Sequence, residues 1–377
     1  MQFASGPQLI WGPNAAGKTT LLEAVVLLGL GKSHRTTTDS ELIRWGADYL
    51  RVKGMVGPAG DAASPALEVA LEVAFQAGGR KRIHVNGVPR RPAVLAEYLR
   101  TVLFAPEEML LVIGPPALRR AALDTLTTPH DRSYASDLAT YGRALQQRNS
   151  LLRAIREGGA EPDQLRLWDE PFLVAGSAIV AARLRLLDLL AEPLAAAHRE
   201  IAPAEERLTA NYVSNATPLP GEGPREALAR RLHETSDKET WNGSTLIGPH
   251  RDDMVFGIGG RDLSTFASRG QQRTAILALK LAELDLLTEL DGKPPLLLLD
   301  DVFSELDPAR RGHLVRRIAE LPQVLITTTD PSDIDADLRR QARTWRVIPG
   351  EAPAGEAPAG EAPAGETGGA RVVEGGK

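Results

Sequence analysis

The sequence predicts an α/β fold, a P-loop nucleotide-binding head of mixed sheet and helices carrying an inserted helical arm or lid domain. Three observations predict it: a phosphate-loop pattern at Gly12 to Thr19, an apolar strand closed by Asp300 and Asp301, and a helical seam between the two. The head is expected over 1–103 and 246–349, the arm over 104–245, and a disordered tail over 350–377.

Gly12-Pro13-Asn14-Ala15-Ala16-Gly17-Lys18-Thr19 matches G-x-x-x-x-G-K-[ST] at every fixed position, between an apolar strand (Leu9, Ile10, Trp11) and a helix from Leu21 onward. Glycines allow the turn angles that bring N–H groups against phosphate oxygens, and a helix beginning near Lys18 adds its positive end. The expected nucleotide contacts are Gly12, Asn14, Ala15, Ala16, Gly17, Lys18, Thr19 and Thr20. Lys18 reaches the β- and γ-phosphates of ATP, and Thr19 ligates Mg²⁺.

Tyr49 to Gly57, Ala66 to Phe75 and Lys81 to Arg90 read as strands, and Asn86-Gly87 is a hairpin signal. From about Arg119 to His233 the pattern turns helical. Tyr134, Leu138, Tyr141, Leu145, Arg148 and Leu152 step by four and three, an apolar seam with one polar member. A turn at Gly158 to Pro162 leads to a returning helix from Leu165 to about His198, carrying Trp168, Phe172, Ile179, Leu186, Leu187 and Leu190. The seam spans about three heptads, the length of a short arm and not of a long coiled coil.

From Leu246 strands and helices alternate again. Pro294 to Asp301, "PPLLLLDD", is a buried parallel strand ending in two acids, and a helix from Pro308 to Leu321 leads to a second buried strand, Gln323 to Asp330. Asp300 is placed to hold Mg²⁺ opposite Thr19, and Asp301 to polarise an attacking water. Beyond Gly350 the chain reads "EAPAG" three times, a composition that cannot build a packed core.

Composition narrows the function classes. The chain has 377 residues and no cysteine, which excludes a disulfide scaffold, a zinc–cysteine site and a thiol nucleophile. No apolar run reaches the ~20 residues of a membrane span, so a cytoplasmic protein without a membrane partner is expected. The net charge of −5 means that nucleic-acid binding needs a local basic patch.

Further segments carry a family resemblance. Ser304-Glu305-Leu306-Asp307 resembles the D-loop of ABC-type ATPases, and Ser268-Arg269-Gly270-Gln271-Gln272-Arg273 their signature loop opening a helix. Gly248 to Asp253 ("GPHRDD"), Pro106 to Asp124 and Gly31 to Thr36 ("GKSHRT") are similar to the RecF family of DNA repair ATPases. The resemblance runs from Gly12 to about Leu314 and implies an ABC-type head. It also implies a homodimer with ATP as its glue, in which Ser268, Gly270, Gln271 and Asp307 meet the nucleotide held by a second copy. His34 and Arg35 are candidates to touch ribose or phosphate. The family function it implies is an ATP-gated clamp on DNA that helps load a recombinase at single-strand gaps, with RecR- and RecO-like mediators as partners. Asp301 in place of the glutamate of ABC transporters, and Thr327-Thr328-Thr329 at their switch histidine, imply slow hydrolysis.

The family usually places an extra strand and a Phe-Arg-Asn segment ahead of the phosphate-loop strand. Here Met1 stands eleven residues before Gly12: either the start is misassigned or the protein is truncated, and a truncated sheet edge would expose unpaired backbone. An ABC transporter subunit is disfavoured by the roughly 250 residues between Lys18 and Ser268, and an SMC-type head by the short arm. For DNA contact, Arg80, Lys81, Arg82, Arg90 and Arg91 flank the hairpin, with Arg119 and Arg120 or Arg230 and Arg231 as alternatives.

Overall fold

The computed structural model describes residues 1–36, 38–57, 68–349 and 370–375. The chain forms two units, Met1–Glu108 with Glu283–Lys377, and Met109–Ala282. It begins in the first with β1 (Gly6–Trp11) and α1 (Lys18–Leu30), followed by β2 (Tyr49–Val56), β3 (Val69–Gln76), β4 (Arg82–Val85), β5 (Val88–Pro89) and β6 (Thr101–Phe104). The second unit holds α2 (Pro116–Thr127), α3 (Tyr134–Arg156), α4 (Arg166–Ile201), β7 (Leu208–Val213), α5 (Pro224–Asn242), β8 (Asp253–Ile258) and β9 (Arg261–Asp262). Helix α6 (Arg269–Asp291) carries the chain back to β10 (Leu296–Asp300), α7 (Pro308–Ala319), β11 (Gln323–Thr328), α8 (Ala336–Gln341), β12 (Arg343–Ile348) and β13 (Arg371–Glu374).

The first unit is built on a six-stranded sheet in the order β13-β12-β1-β11-β10-β6 and a four-stranded sheet β2-β3-β4-β5. All pairs in the larger sheet are parallel except β12 with β13. Its central strands read as continuous apolar runs because both faces are covered: Leu9, Ile10, Leu298, Leu299, Leu325 and Ile326 are fully buried. Helix α1, "KTTLLEAVVLLGL", has no polar face, and the packing explains why. Leu22 and Val26 join the core of the six-stranded sheet, while Leu28 joins Leu71, Val73, Ile83 and Val85 of the smaller one.

The smaller sheet is wet on one side, hence its alternation: Tyr49, Arg51, Lys53 and Met55 are exposed, whereas Val52 and Val56 pack inward. The expected hairpin is present, with Asn86 at φ 51 and Gly87 at φ 76. Asn86 Oδ1 also accepts the Ala70 N–H at 2.8 Å.

Strand β1 is paired on both sides, by β11 and β12. One expectation fails: of the tail expected to be disordered, the EAPAG repeats lie outside the described residues, but Arg371–Glu374 pairs antiparallel with β12. "RVVE" has β-branched residues that the Gly-rich surroundings obscured.

In the second unit the helical hairpin is α3 against α4, and the predicted seam is its core. Tyr134, Tyr141, Phe172 and Ile179 are buried, with Leu138, Leu145 and Trp168 packed against them. Arg148, the one polar seam member, is 2 % exposed and donates to Asp169 (2.8 Å), Thr245 (2.8 Å) and Glu239 (3.2 Å). The helical zone is broken once, at Leu208–Val213, which pairs with β8 in a three-stranded sheet β7-β8-β9. Six residues of alternating pattern are too short to stand out against the helical runs around them.

Candidate nucleotide site

The phosphate loop turns from β1 into α1 through two left-handed residues, Ala15 at φ 60 and Gly17 at φ 102. Gly12 cannot be replaced without movement, because a Cβ there would stand 2.4 Å from the Val347 carbonyl oxygen of β12. No side chain caps α1, so the first N–H groups of a buried helix have no acceptor within it. An anion at this end supplies that acceptor and meets the helix dipole. Lys18 is buried and curls back over the loop, its Nζ donating to the Gly12 and Pro13 carbonyls at 2.8 and 2.9 Å. Burial pulls its pKa below the usual lysine range, and Asp301 and Asp300 oppose the shift by favouring the cation.

Those carboxylates stand at the end of β10. Asp300 is 5 % exposed and accepts Thr327 Oγ1 at 2.5 Å, an approach fixed by the parallel register Asp300↔Thr327. Asp301 is a non-glycine residue at φ 52, held there by its N–H on Thr327 Oγ1 at 3.1 Å. Such a conformation persists where its surroundings enforce it. Its Oδ1 is buried and has no hydrogen-bond partner among the described residues. Burial raises the Asp301 pKa, Lys18 lowers it, and Asp300 and Asp333 raise it further. A buried carboxylate oxygen without a donor invites one, and a water or a phosphate-bound group supplies it. Among the described residues no set of three or more His, Cys, Asp or Glu could hold a metal by itself. Mg²⁺ does not need one, since it takes one or two protein oxygens and completes its shell with water and phosphate, which suits Thr19 with Asp300.

The His34 loop belongs to the same unit. Glu23 of α1 is 7 % exposed; it accepts from Ser33 Oγ and pairs with Arg35 at 3.6 Å, and Arg35 also reaches Glu107 at 4.0 Å. Both ring nitrogens of His34 are buried without a partner among the described residues. Burial lowers its pKa, against Glu23, Glu107, Asp300 and Glu108. Thr20 is exposed one position beyond Thr19.

Ser268, Gly270 and Gln271 lie in the other unit, at the start of α6. Ser268 N–H donates to Gln271 Oε1 (3.0 Å) and Gln271 N–H to Ser268 Oγ (3.3 Å), a reciprocal cap that leaves the exposed hydroxyl free to donate outward. Asp307 caps α7 through the Arg310 N–H at 3.0 Å.

Two of the three arginine clusters considered for DNA are engaged internally. Arg119 forks onto Asp253 with two 2.7 Å bonds, and Arg120 donates to the Asp252 carbonyl at 2.8 Å. Arg230 pairs with Glu222 and Glu234, and Arg231 with Glu234. Lys81 is bound to Asp39 and the Gly31 carbonyl. Arg80, Arg82, Arg90 and Arg91 are exposed and form no ion pair among the described residues. Thr327, in the sequence one of three threonines at the switch position, is brought level with Asp300 by the register of β11 on β10.

The family model "RecF/RecN/SMC N terminal domain" matches residues 1–341. The DNA replication and repair protein RecF of Moorella thermoacetica is 40% identical over 348 residues, 92% of this chain and 90% of that protein. That of Chloroflexus aurantiacus is 38% identical over 380 residues, 93% and 94% of the two chains. A solved structure of the recombination mediator protein RecF-ATP in the RecFOR pathway superposes with a TM-score of 0.81 at 35% identity, covering 92% of this chain and 90% of that one. With the family model matched over residues 1–341 and 40% identity across 92% of the chain, the chain belongs to the RecF family.

Proposed function

We propose that the chain is an ATP-dependent, DNA-binding recombinational repair ATPase that closes as a dimer on DNA and helps load a recombinase at single-strand gaps. The observation that supports it best is the convergence, in one unit, of an uncapped helix start, a buried Lys18 and two carboxylates, one with an orphaned oxygen. Lys18 neutralises the β- and γ-phosphates, Thr19 and Asp300 hold Mg²⁺, and Asp301 orients the attacking water. The short Asp301 side chain favours slow turnover. His34 and Arg35 meet ribose or phosphate. Ser268, Gly270, Gln271 and Asp307 complete the site of a second copy, so ATP gates the dimer. The named relatives act in DNA replication and repair, and one stands in the RecFOR pathway, which supports RecR- and RecO-like partners here.

DNA is assigned to the open face of the four-stranded sheet. Lys53 and Arg82 are exposed on it, with Arg80, Arg90 and Arg91 around its hairpin. The stretch 44–91 carries eight lysines and arginines against four acids in a chain of net charge −5. Arg82→Glu with Arg90→Glu should weaken DNA binding and flatten its salt dependence by about two phosphate contacts.

Ser268→Arg tests the gate. ATP binding to a single chain should persist, while ATP-dependent dimerisation in sedimentation and salt-resistant DNA retention should vanish. Ser268→Ala loses the same helix cap without filling the space, and should retain partial dimerisation. A Ser268→Arg protein that dimerises with ATP overturns the reading.

A further inference from the structure

Both fixed glycines of the phosphate loop rest on the β12–β13 pair. The Val347 carbonyl of β12 abuts Gly12, and the Ala370 side chain, one residue before β13, would be 3.5 Å from a Cβ at Gly17. Val347 is opposite Val372 in the ladder, and Val372 packs on the core of Ile10, Ala16 and Val347. The pair therefore forms a wall behind the loop.

That wall is held weakly at its outer edge. Strand β13 has four residues, of which Arg371, Val373 and Glu374 are exposed and only Val372 is partly buried. Beyond the ladder it is anchored by the Gly375 N–H on the Thr344 carbonyl at 2.8 Å, a long bond from the Thr344 hydroxyl to the Gly375 carbonyl at 3.5 Å, and an exposed Arg343–Glu374 ion pair. The connection from Ile348 to Arg371 covers residues 349–370, where antiparallel neighbours are commonly joined by two to five residues.

We propose that β13 is a docking strand whose pairing with β12 and nucleoside triphosphate binding at the phosphate loop reinforce each other. The contacts on Gly12 and Gly17 supply the coupling. A docked strand fixes Val347 and Ala370 against the two residues whose backbone angles shape the cradle, and a triphosphate that fixes the cradle favours the docked strand in return. Linkage makes the effect reciprocal. The occupant of the β12 edge is thus this chain's own 370–375 segment, and the regulated ligand is that of the nucleotide site, so the inference rests on that reading.

Two measurements on the full chain test it. Hydrogen exchange at the amides of 371–375 should slow severalfold when ATP is added to the wild type, and should not change with ATP in Lys18→Ala. Val372→Asp, which puts a charge on the docking contact, should weaken ATP binding about three- to tenfold. Replacing residues 350–369 with a tight Asn-Gly turn should protect 371–375 without ATP. Wild-type protein that does not bind ATP overturns the nucleotide reading and this inference together. Wild-type protein that binds ATP while exchange at 371–375 stays unchanged, or a folded Val372→Asp with wild-type affinity, overturns this inference alone.

Discussion

The end of β10 and the polar cluster of the second unit around Arg119, Asp124, Arg183 and Asp252, here called the clasp, contain the same kinds of residue, buried carboxylates beside buried cations, in opposite states of satisfaction. In the clasp nearly every polar group is answered. Arg183, 3 % exposed, donates to Asp124 (2.8 Å), the Tyr134 hydroxyl (3.0 Å), the Tyr212 hydroxyl (3.3 Å) and the Pro249 carbonyl (2.9 Å). Asp252 accepts from Tyr212 (2.8 Å), Ser214 (3.1 Å) and the Asn215 N–H (3.1 Å). At the strand end, Lys18 Nζ donates to the Gly12 and Pro13 carbonyls, and Asp301 Oδ1 has no hydrogen-bond partner among the described residues. Family-like sequence segments mark both regions, so motif matching alone does not tell scaffold from site. Whether the charges are already answered within the chain does, because an unanswered buried polar group costs stability and persists where a ligand uses it.

The largest effect should come from breaking the answered region. Arg183→Met leaves Asp124 with the Tyr134 hydroxyl as donor and takes the guanidinium from two hydroxyls and the Pro249 carbonyl, and removing one partner of a buried pair costs about 3–5 kcal/mol. Urea unfolding should show that loss, while the ATP affinity of the folded protein stays at the wild-type level. Lower ATP affinity with unchanged stability would move Arg183 from scaffold to site and dissolve the contrast.

Asp301→Asn tests the unanswered region with the opposite signature. The variant should bind ATP and keep most of its stability, because Asp301 Oδ1 has no hydrogen-bond partner among the described residues, while turnover falls on the order of 10²-fold or more. Normal turnover in a phosphate-release assay would mean that another group orients the water. Lys18→Ala, by contrast, should lose both affinity and turnover.

Much of this contrast is legible in the sequence alone. The phosphate loop, the "LLLLDD" strand and the Asn86-Gly87 hairpin are local patterns, and each gives its own geometry. The clasp was visible only as two resembling segments, Pro106 to Asp124 and Gly248 to Asp253. Its chemistry is the pairing of Arg119 with Asp253 and of Asp124 with Arg183, residues 134 and 59 positions apart, which no local window contains. The same limit hid the Arg148 partners, as a lone arginine in an apolar seam reads as a blemish until Glu239 and Asp169 arrive from other helices.

The clasp also predicts a pH response. His250 accepts or donates a 2.6 Å bond with the Tyr141 hydroxyl, and burial, with Arg251, Arg120 and Arg148 nearby, lowers its pKa to about 4. The folded value lies below the free value of 6.5, so on acidification the unfolded chain takes up this proton first. Its contribution is intact above pH 6.5 and lost as pH falls toward 4, about 2 kcal/mol between pH 7 and 5. Burial raises the Asp252 pKa, which acts with the opposite sign at the acid end. His250→Gln should therefore lose less stability than wild type between pH 7 and 5 in urea melts. Parallel pH curves for the two proteins would show that the imidazole is not held neutral.

The smallest effect should come from Thr327, which stands between the two states of satisfaction. Its hydroxyl donates to Asp300 and accepts from the Asp301 N–H, so it satisfies one carboxylate while holding the other residue at a positive φ. Thr327→Val keeps the shape and the buried strand, and Asp301 N–H retains the Thr327 carbonyl at 3.3 Å. The fold should therefore lose only about 1 kcal/mol. Turnover should fall further than affinity, because Asp300 keeps its place at the strand end while the Asp301 carboxylate loses its fixed direction. A drop in kcat of about tenfold with KM for ATP within twofold would locate Thr327 as the residue that positions Asp301. Equal losses in kcat and affinity would instead show that its main duty is toward Asp300, and that the two carboxylates are not separated in role as their hydrogen bonds imply.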